Sequence, residues 1–444
     1  MLARYLERKR GGQALILVTL ALIPLFGLLG LVVDIGWMEF VKKSAQTAAD
    51  AAAMAAVLQY QSTTFNNTFT CGVNGVVCQS PTSCNPTPTN YLHSGCLYAQ
   101  LNGFSSSGNQ NVTIQAGVGV PPTAPGVNSS AYWVTVRVNQ SVPQLFSAVL
   151  GNANGLVSAR ATAALSPAQD CIYVMDPSGS GTLAMNGSPT LITSCGVYIN
   201  STSPTALTGD GTATLRASEI DIVGGADFHG TLDPNPPNTG IAALSDPLAS
   251  LPAPSVPAGC DHNNYSVSGF ATVTLSPGVY CGGIDVRNAT VTFSPGMYIL
   301  KGGGLSTNTA NSIMSGTGVT FYNTYDPTSG NPNIANYGPI NIVANSSASL
   351  TAPTTGTYAG VLIMEDRRIP AGVYSDTFGG GSNAAYTGII YGPKSNMTFY
   401  GNASLTAYTL IVSYRLSMVG TTDINNNYAS LPTGNPIKVT ALVE

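Results

Sequence analysis

Charge is scarce in this 444-residue chain: Asp, Glu, Lys and Arg together make up 8% of it. Histidine is scarcer, with three residues, His93, His229 and His262, and no two cysteines form a C-x-x-C pair. Each scarcity excludes something. A charge-poor chain of net charge −4 has no electrostatic footprint for nucleic acid. Three scattered histidines support neither a zinc centre nor a Ser-His-Asp or Cys-His nucleophile, so no catalytic, cofactor or metal residue is nominated. Helical periodicity is also missing from most of the chain. Gly (49) and Pro (29) are plentiful instead, among many Ser, Thr and Asn, a mixture suited to short strands and turns. The eight cysteines form an even set, as expected of disulfides in an oxidising compartment.

The charge that exists is unevenly placed. Residues 1–43 hold six Lys/Arg and three Asp/Glu, and the remainder ten and seventeen. Between the basic residues of this start, Ala14–Val33 runs for 20 residues without a charge. At about 1.5 Å per residue it spans roughly 30 Å, the hydrocarbon thickness of a bilayer, whereas a signal-peptide core has about 7–15 residues. A retained anchor is the expectation. Arg4, Arg8, Lys9 and Arg10 precede the span, and Lys42 and Lys43 follow it mixed with Asp34 and Glu39. The positive-inside rule then leaves the N-terminus cytoplasmic and the bulk periplasmic or extracellular. Pro24 is read as a tolerated membrane proline that kinks the helix. Asp34 lies one residue past the span, marking its outer edge, with Trp37 at interfacial depth.

The helix is expected to continue through VKKSAQTAADAAAMAAVLQY, which lacks Gly and Pro and is rich in Ala. Ala45, Ala48, Ala49, Ala52 and Ala56 form a small-residue packing face that lets another helix or a sheet approach closely.

The stretch RGGQALILVTLALIPLFGLLGLVVDIGWMEFVKKSAQTAADAAAMAA resembles the N-terminal module of TadG-like proteins of Tad (tight adherence, Flp-type) pilus systems. The resemblance rests on the basic-Gly-Gly-Gln start, the apolar span, the D-x-G at Asp34 and Gly36, and the A-A-D-A-A-A run. It covers about 50 residues. YWVTVRVNQSVPQLFSAVLGNANGLVSARATAAL is similar, more loosely, to the strand and F-x-x-x-L-G patterns that close the pilin-like unit of that family. The resemblance implies an envelope-anchored component of pilus assembly or surface adherence. Its implied partners are the inner membrane, other Tad or envelope components, and a surface or glycan receptor.

From about residue 171 short apolar runs alternate with Gly, Asn, Asp and Pro turns. LSPGVYCGGIDV is echoed eighteen residues later by FSPGMYILKGGGL, and Ile390 and Ile411 occupy matching runs. Periods near 20 residues indicate a solenoid. A right-handed parallel β-helix puts residues one rung apart side by side, which makes Cys171–Cys195 and Cys260–Cys281 candidate disulfides. A β-sandwich is the alternative. Spacing leaves the pairing of Cys71, Cys78, Cys84 and Cys96 open.

Three clusters invite chemistry. Asp176-x-Ser178-x-Ser180 follows an apolar strand, the metal-holding pattern of von Willebrand A domains, which some TadG-like proteins carry. Pro177 and the turn-and-strand residues after it favour a polar solenoid turn. Asp210, Asp221, Asp227, His229 and Asp233 form the densest acidic group, but at spacings that match no ligand loop. Glu365, Asp366, Arg367 and Arg368 read as surface ion pairs at a strand end. GGG at 302–304 and 379–381 reads as turns, since no G-K-[ST] follows.

The chain is therefore expected to be mainly β: one long N-terminal membrane helix and a pilin-like unit, then a β-helix-like solenoid. Residues 1–60 form the stub, span and stem, 61–167 the pilin-like unit, and 168–444 the extracytoplasmic domain. The expected role is structural and non-enzymatic. The alternative is a membrane-tethered β-helix enzyme acting on polysaccharide.

Overall fold

The computed structural model describes residues 3–61, 69–73, 75–122, 125, 132–307, 309, 311–325, 337–343, 346–380, 385–401, 404–405, 410–419, 421–424 and 437–444. The chain is mainly β and divides into two units: 1–166 together with 438–444, and 167–437.

The first unit is built on one 59-residue helix, α1 (Ala3–Gln61), with Pro24 inside it. A five-stranded sheet packs against its second half. The strands β1 (Gln79–Ser83), β2 (Gln110–Val118), β3 (Tyr132–Pro143) and β4 (Asn154–Pro167) pair antiparallel in sequence order. Lys438–Leu442 lies beside β4 at the sheet edge. A short helix, α2 (Leu92–Leu101), also contacts α1. Alternation in β2 and β3 sends Val112, Ile114, Val134, Val136 and Val138 inward, where they meet the alanine face of α1. The expected boundary at 168 thus needs one correction, because the last strand of the chain returns to the first unit. The sequence period of the second unit says nothing about where that strand docks.

The predicted span Ala14–Val33 lies on α1, and the side chains at 14–16, 23, 26 and 29 fall outside the described residues. Among the described residues no helix is long and apolar enough to cross a membrane.

In the second unit every ladder among the described residues is parallel, which removes the antiparallel sandwich from consideration. Each turn contributes several short strands, which pair with their counterparts in the next turn. Leu275 pairs with Phe293, joining the two echoed runs, and Ile390 pairs with Ile411. Gly278–Arg287 and Ile389–Gly401 are long enough to pair along two faces. With the six strands between them they close an eight-stranded parallel ring. Inward residues form continuous columns: Tyr280, Tyr298 and Phe321 succeed one another at 5.9 and 5.4 Å, and Phe378 stacks on Phe399 at 4.8 Å.

The order of turns in space is not the order in sequence. Asp170–Val174, the first strand of the unit, pairs with Gly196–Ile199 on one side and with Leu410–Val419 on the other. The chain enters mid-stack, builds to one end at Asn238–Thr239, and resumes at the far end with His262–Ser268. It then returns turn by turn to its entry point. Residues 240–261 make the crossing, held by Tyr198 on the Ala242 carbonyl, Asn200 Oδ1 on the Leu244 N–H, and Arg367 on the Leu248 carbonyl. Cys260–Cys281 fastens its end.

Candidate functional site

The residues singled out at the chain start meet at one place on α1. Asp34 is 4% exposed, although the apolar side chains around it, Leu31, Val32, Val33, Ile35 and Trp37, are exposed. Its carboxylate reaches a loop more than a hundred residues away. Oδ1 accepts the Leu145 N–H at 2.9 Å, and Oδ2 accepts those of Phe146 at 3.0 Å and Ser147 at 2.7 Å. Ser147–Leu150 is a single 3-10 turn, so Asp34 satisfies amide groups at its start that the turn cannot satisfy itself. Burial pushes the carboxyl pKa up, but the bonds from Ser147, Leu145 and Phe146 outweigh it and hold the group below its ordinary value. The carboxylate read as the edge of the span thus has backbone amides of its own chain as its partners.

Gly30, one turn earlier, completes this latch. A Cβ there would lie 2.2 Å from Cγ of Phe146, so only glycine lets that ring lie on the helix. Phe146 belongs to the F-x-x-x-L-G stretch, but nothing in the local pattern identifies Gly30 as its seat. Gly36, the other half of the D-x-G, is exposed and has nothing within 4 Å of a Cβ position.

Ala45, Ala48, Ala49, Ala52 and Ala56 are each 0% exposed. Their face is occupied within the chain by the sheet and by α2, where a Cβ added to Gly95 would lie 3.1 Å from the Ala52 carbonyl oxygen. It is therefore not a free surface for a second helix.

The four disulfides are Cys71–Cys78, Cys84–Cys96, Cys171–Cys195 and Cys260–Cys281. The last two join turns 24 and 21 residues apart, with Cα atoms 5.7 Å apart in each.

Asp176 is buried and committed. Oδ1 accepts the N–H groups of Ser178 and Gly179, and Oδ2 takes Arg415 Nε at 2.6 Å. Ser180 bonds Thr205 instead of converging on the carboxylate. A guanidinium thus stands where the metal pattern needs a cation.

The sequence-dense acidic group does not assemble. Asp210 accepts the Gly187 N–H, Asp221 takes Asn238, and exposed Asp227 lies 3.7 Å from His229. The carboxylates that do gather are Asp170 and, two turns on, Glu219 and Asp221, with Gly196 on the turn between them. Asp170 is pushed up to about 7 by burial and then by Glu219 and Asp221, and Glu219 is raised by burial and Asp221. Period, not proximity in sequence, is the signal that finds this trio.

The 365–368 cluster is corrected too. Glu365 and Asp366 are buried, at 1% and 3% exposed, because Val361–Glu365 is an interior strand of the stack. Asp366 pairs with Arg368 at 2.6 Å. Gly302–Gly304 is a turn of three positive-φ glycines in which a Cβ on Gly303 would meet the Gly282 carbonyl. Residue 381 lies outside the described residues.

Residues 12–59 match the family model described as "Putative Flp pilus-assembly TadE/G-like". The matched segment comprises most of α1, including Gly30, Asp34, Gly36 and the alanine face. No curated protein and no solved structure matches the chain.

Proposed function

We propose that this chain is an envelope-anchored, non-enzymatic structural component of a Tad-type pilus-assembly or surface-adherence system. The observation that carries the reading is the continuous α1 helix. Its first half presents a band of exposed Leu, Val and Ile side chains, its second half is the core of a folded unit, and Asp34 grips that unit where the two halves meet. The pilus-assembly match over the same residues supports it.

In this reading Ala14–Val33 spans the inner membrane once, with the N-terminus cytoplasmic. The first unit stands at the outer surface of that membrane. The second unit is a right-handed parallel β-helix that displays a neutral, hydroxyl-rich surface. Four disulfides agree with an oxidising compartment on that side. Its partners are other Tad components and a surface or glycan receptor.

The test is fractionation with site-directed crosslinking from Trp37 and Phe40 in cells that carry a Tad system. Recovery in the membrane fraction, with crosslinks to Tad components, is expected. A chain that stays in the soluble fraction after residues 14–33 are shown intact sinks the reading.

A second reading, a tethered enzyme acting on polysaccharide, draws on the Asp170, Glu219 and Asp221 trio, where burial and the neighbouring carboxylates push Asp170 up to about 7. Glycan turnover lost in Asp170→Asn would favour it.

A further inference from the structure

Glu365 and Asp376 lie on consecutive strands of one turn of the second unit, Val361–Glu365 and Ser375–Gly380, and are 1% and 0% exposed. Among the described residues no ammonium or guanidinium bonds either one. Asp366 takes Arg368, and Arg367 turns to Tyr391 and the Leu248 carbonyl. The remaining neighbours are neutral. Asn323 Nδ2 donates to Glu365 at 3.2 and 3.3 Å and also to Tyr337 Oη at 3.0 Å. Tyr374 packs on Tyr337 with ring centroids 4.4 Å apart. Asp376 Oδ1 accepts the Ile340 N–H at 2.9 Å, but Oδ2 has no donor. Ser395 Oγ, wholly buried, faces both carboxylates without a well-formed hydrogen bond to either.

Two carboxylates buried together, with no cation, cannot both remain ionised. A single proton removes one of the charges. Asn323 presents its N–H groups to Glu365, not its oxygen, which suits an anion better than a metal's oxygen cage. We propose that Glu365 and Asp376 share a proton in the folded chain, and that this pair makes the second unit a pH-sensitive lock, tight in acid and loosened in alkali. Burial followed by mutual repulsion raises Glu365, and burial pushes Asp376 up to about 7, in the same direction.

The sign follows from linkage. The folded state holds a proton that the unfolded chain releases near ordinary carboxyl values of 4.5 and 3.8. The stabilisation is complete below those values and is lost as pH rises through the folded value. Across that window the folding equilibrium constant falls about tenfold per pH unit per proton. Asp366 stays ionised with Arg368, and Tyr322 is pushed up to about 12, so neither titrates in the window.

The test is reversible denaturant unfolding of the full chain between pH 5 and 9, wild type against Glu365→Gln and Asp376→Asn. An Asp170→Asn/Glu219→Gln background removes the other raised carboxyls. Wild type is expected to lose stability with rising pH, and either amide variant to flatten the curve and exceed wild type at the alkaline end. Parallel curves overturn the proposal. So does a wild-type midpoint raised by millimolar calcium and lowered by a chelator, which would make the pair a cation site. If a variant fails to fold, infrared spectroscopy of the Asp170→Asn/Glu219→Gln chain decides: a protonated-carboxyl band at neutral pH that vanishes in alkali supports the shared proton, and its absence overturns it.

Discussion

Asp34 Oδ2 accepts the backbone N–H of Ser147 at 2.7 Å, across 113 residues of sequence. This bond, with those from Leu145 and Phe146, ties the middle of α1 to the loop between β3 and β4. Asp34→Ala is therefore expected to release residues 145–151 without melting the sheet. Hydrogen exchange should show faster amides at 145–147 and unchanged ones in 132–138. Asp34→Asn keeps one accepting oxygen and should fall between. Because the carboxyl is held low, its contribution is present above the ordinary value of 3.8 and is lost only as pH falls through the lower folded value. The wild-type loop should thus stay protected at mildly acidic pH.

The alanine face tolerates no growth. Ala52 is 0% exposed and lies beneath Gly95 of α2. Ala52→Leu should cost about 1–3 kcal/mol or more by overpacking. Gly36→Ala, where a Cβ meets open space, should change stability by no more than about 0.5 kcal/mol. Denaturant unfolding of the two variants checks the contrast. Equal losses would mean that the face is not packed as described.

Removing residues 438–444 should weaken the first unit, although most of the chain separates them from it in sequence. Gln61 Nε2 donates to the Lys438 carbonyl at 2.7 Å, Thr440 to Gln61 at 2.8 Å, and the Val443 N–H to the Thr162 carbonyl at 2.8 Å. Arg160 pairs with Glu444. At about 1 kcal/mol per hydrogen bond, the loss should be about 2–4 kcal/mol. It also opens the β4 edge to self-association. Light scattering and thermal unfolding of the truncated chain read both effects.

What was legible in the sequence was whatever repeats or persists locally. The unbroken run from Ala14 to Tyr60 announces one helix, the i+3/i+4 alanines announce its buried side, and the echo of LSPGVY in FSPGMY announces the Leu275–Phe293 pairing. Partners across long separations left no such mark. Asp34 reads as a boundary charge until residues 145–147 are placed beside it, and the polar turn at Asp176 gives no sign of Arg415, which arrives from 239 residues away. Mid-stack entry at Asp170–Val174 is hidden for the same reason. A period reveals that turns stack, not which turn lies beside which.

The Cys171–Cys195 bridge closes a 24-residue loop between adjoining turns at that entry point. Its removal by paired Cys→Ala substitution should cost about 3 kcal/mol, mainly by freeing the unfolded chain. The second unit's unfolding midpoint should fall while that of the first, followed by hydrogen exchange in β3, stays in place.

Asp170 faces the gap left by Gly196, where a Cβ would sit 2.0 Å from its Oδ1. Glu219 and Asp221 lie together on the turn beyond Gly196, and burial plus their charge lifts the Asp170 carboxyl to about 7. Its sign is opposite to that of Asp34. The folded chain retains a proton that the unfolded chain gives up near 3.8, so the favourable contribution fades as pH climbs toward 7. Asp170→Asn should remove that fade and leave the second unit more stable than wild type at pH 8, with little difference at pH 4. Widening of Gly196 to Ala should instead destabilise at every pH, because the clash does not titrate. Unfolding curves at the two pH values separate these outcomes. An Asp170→Asn chain no more stable than wild type at pH 8 would show that the trio is solvated and not crowded.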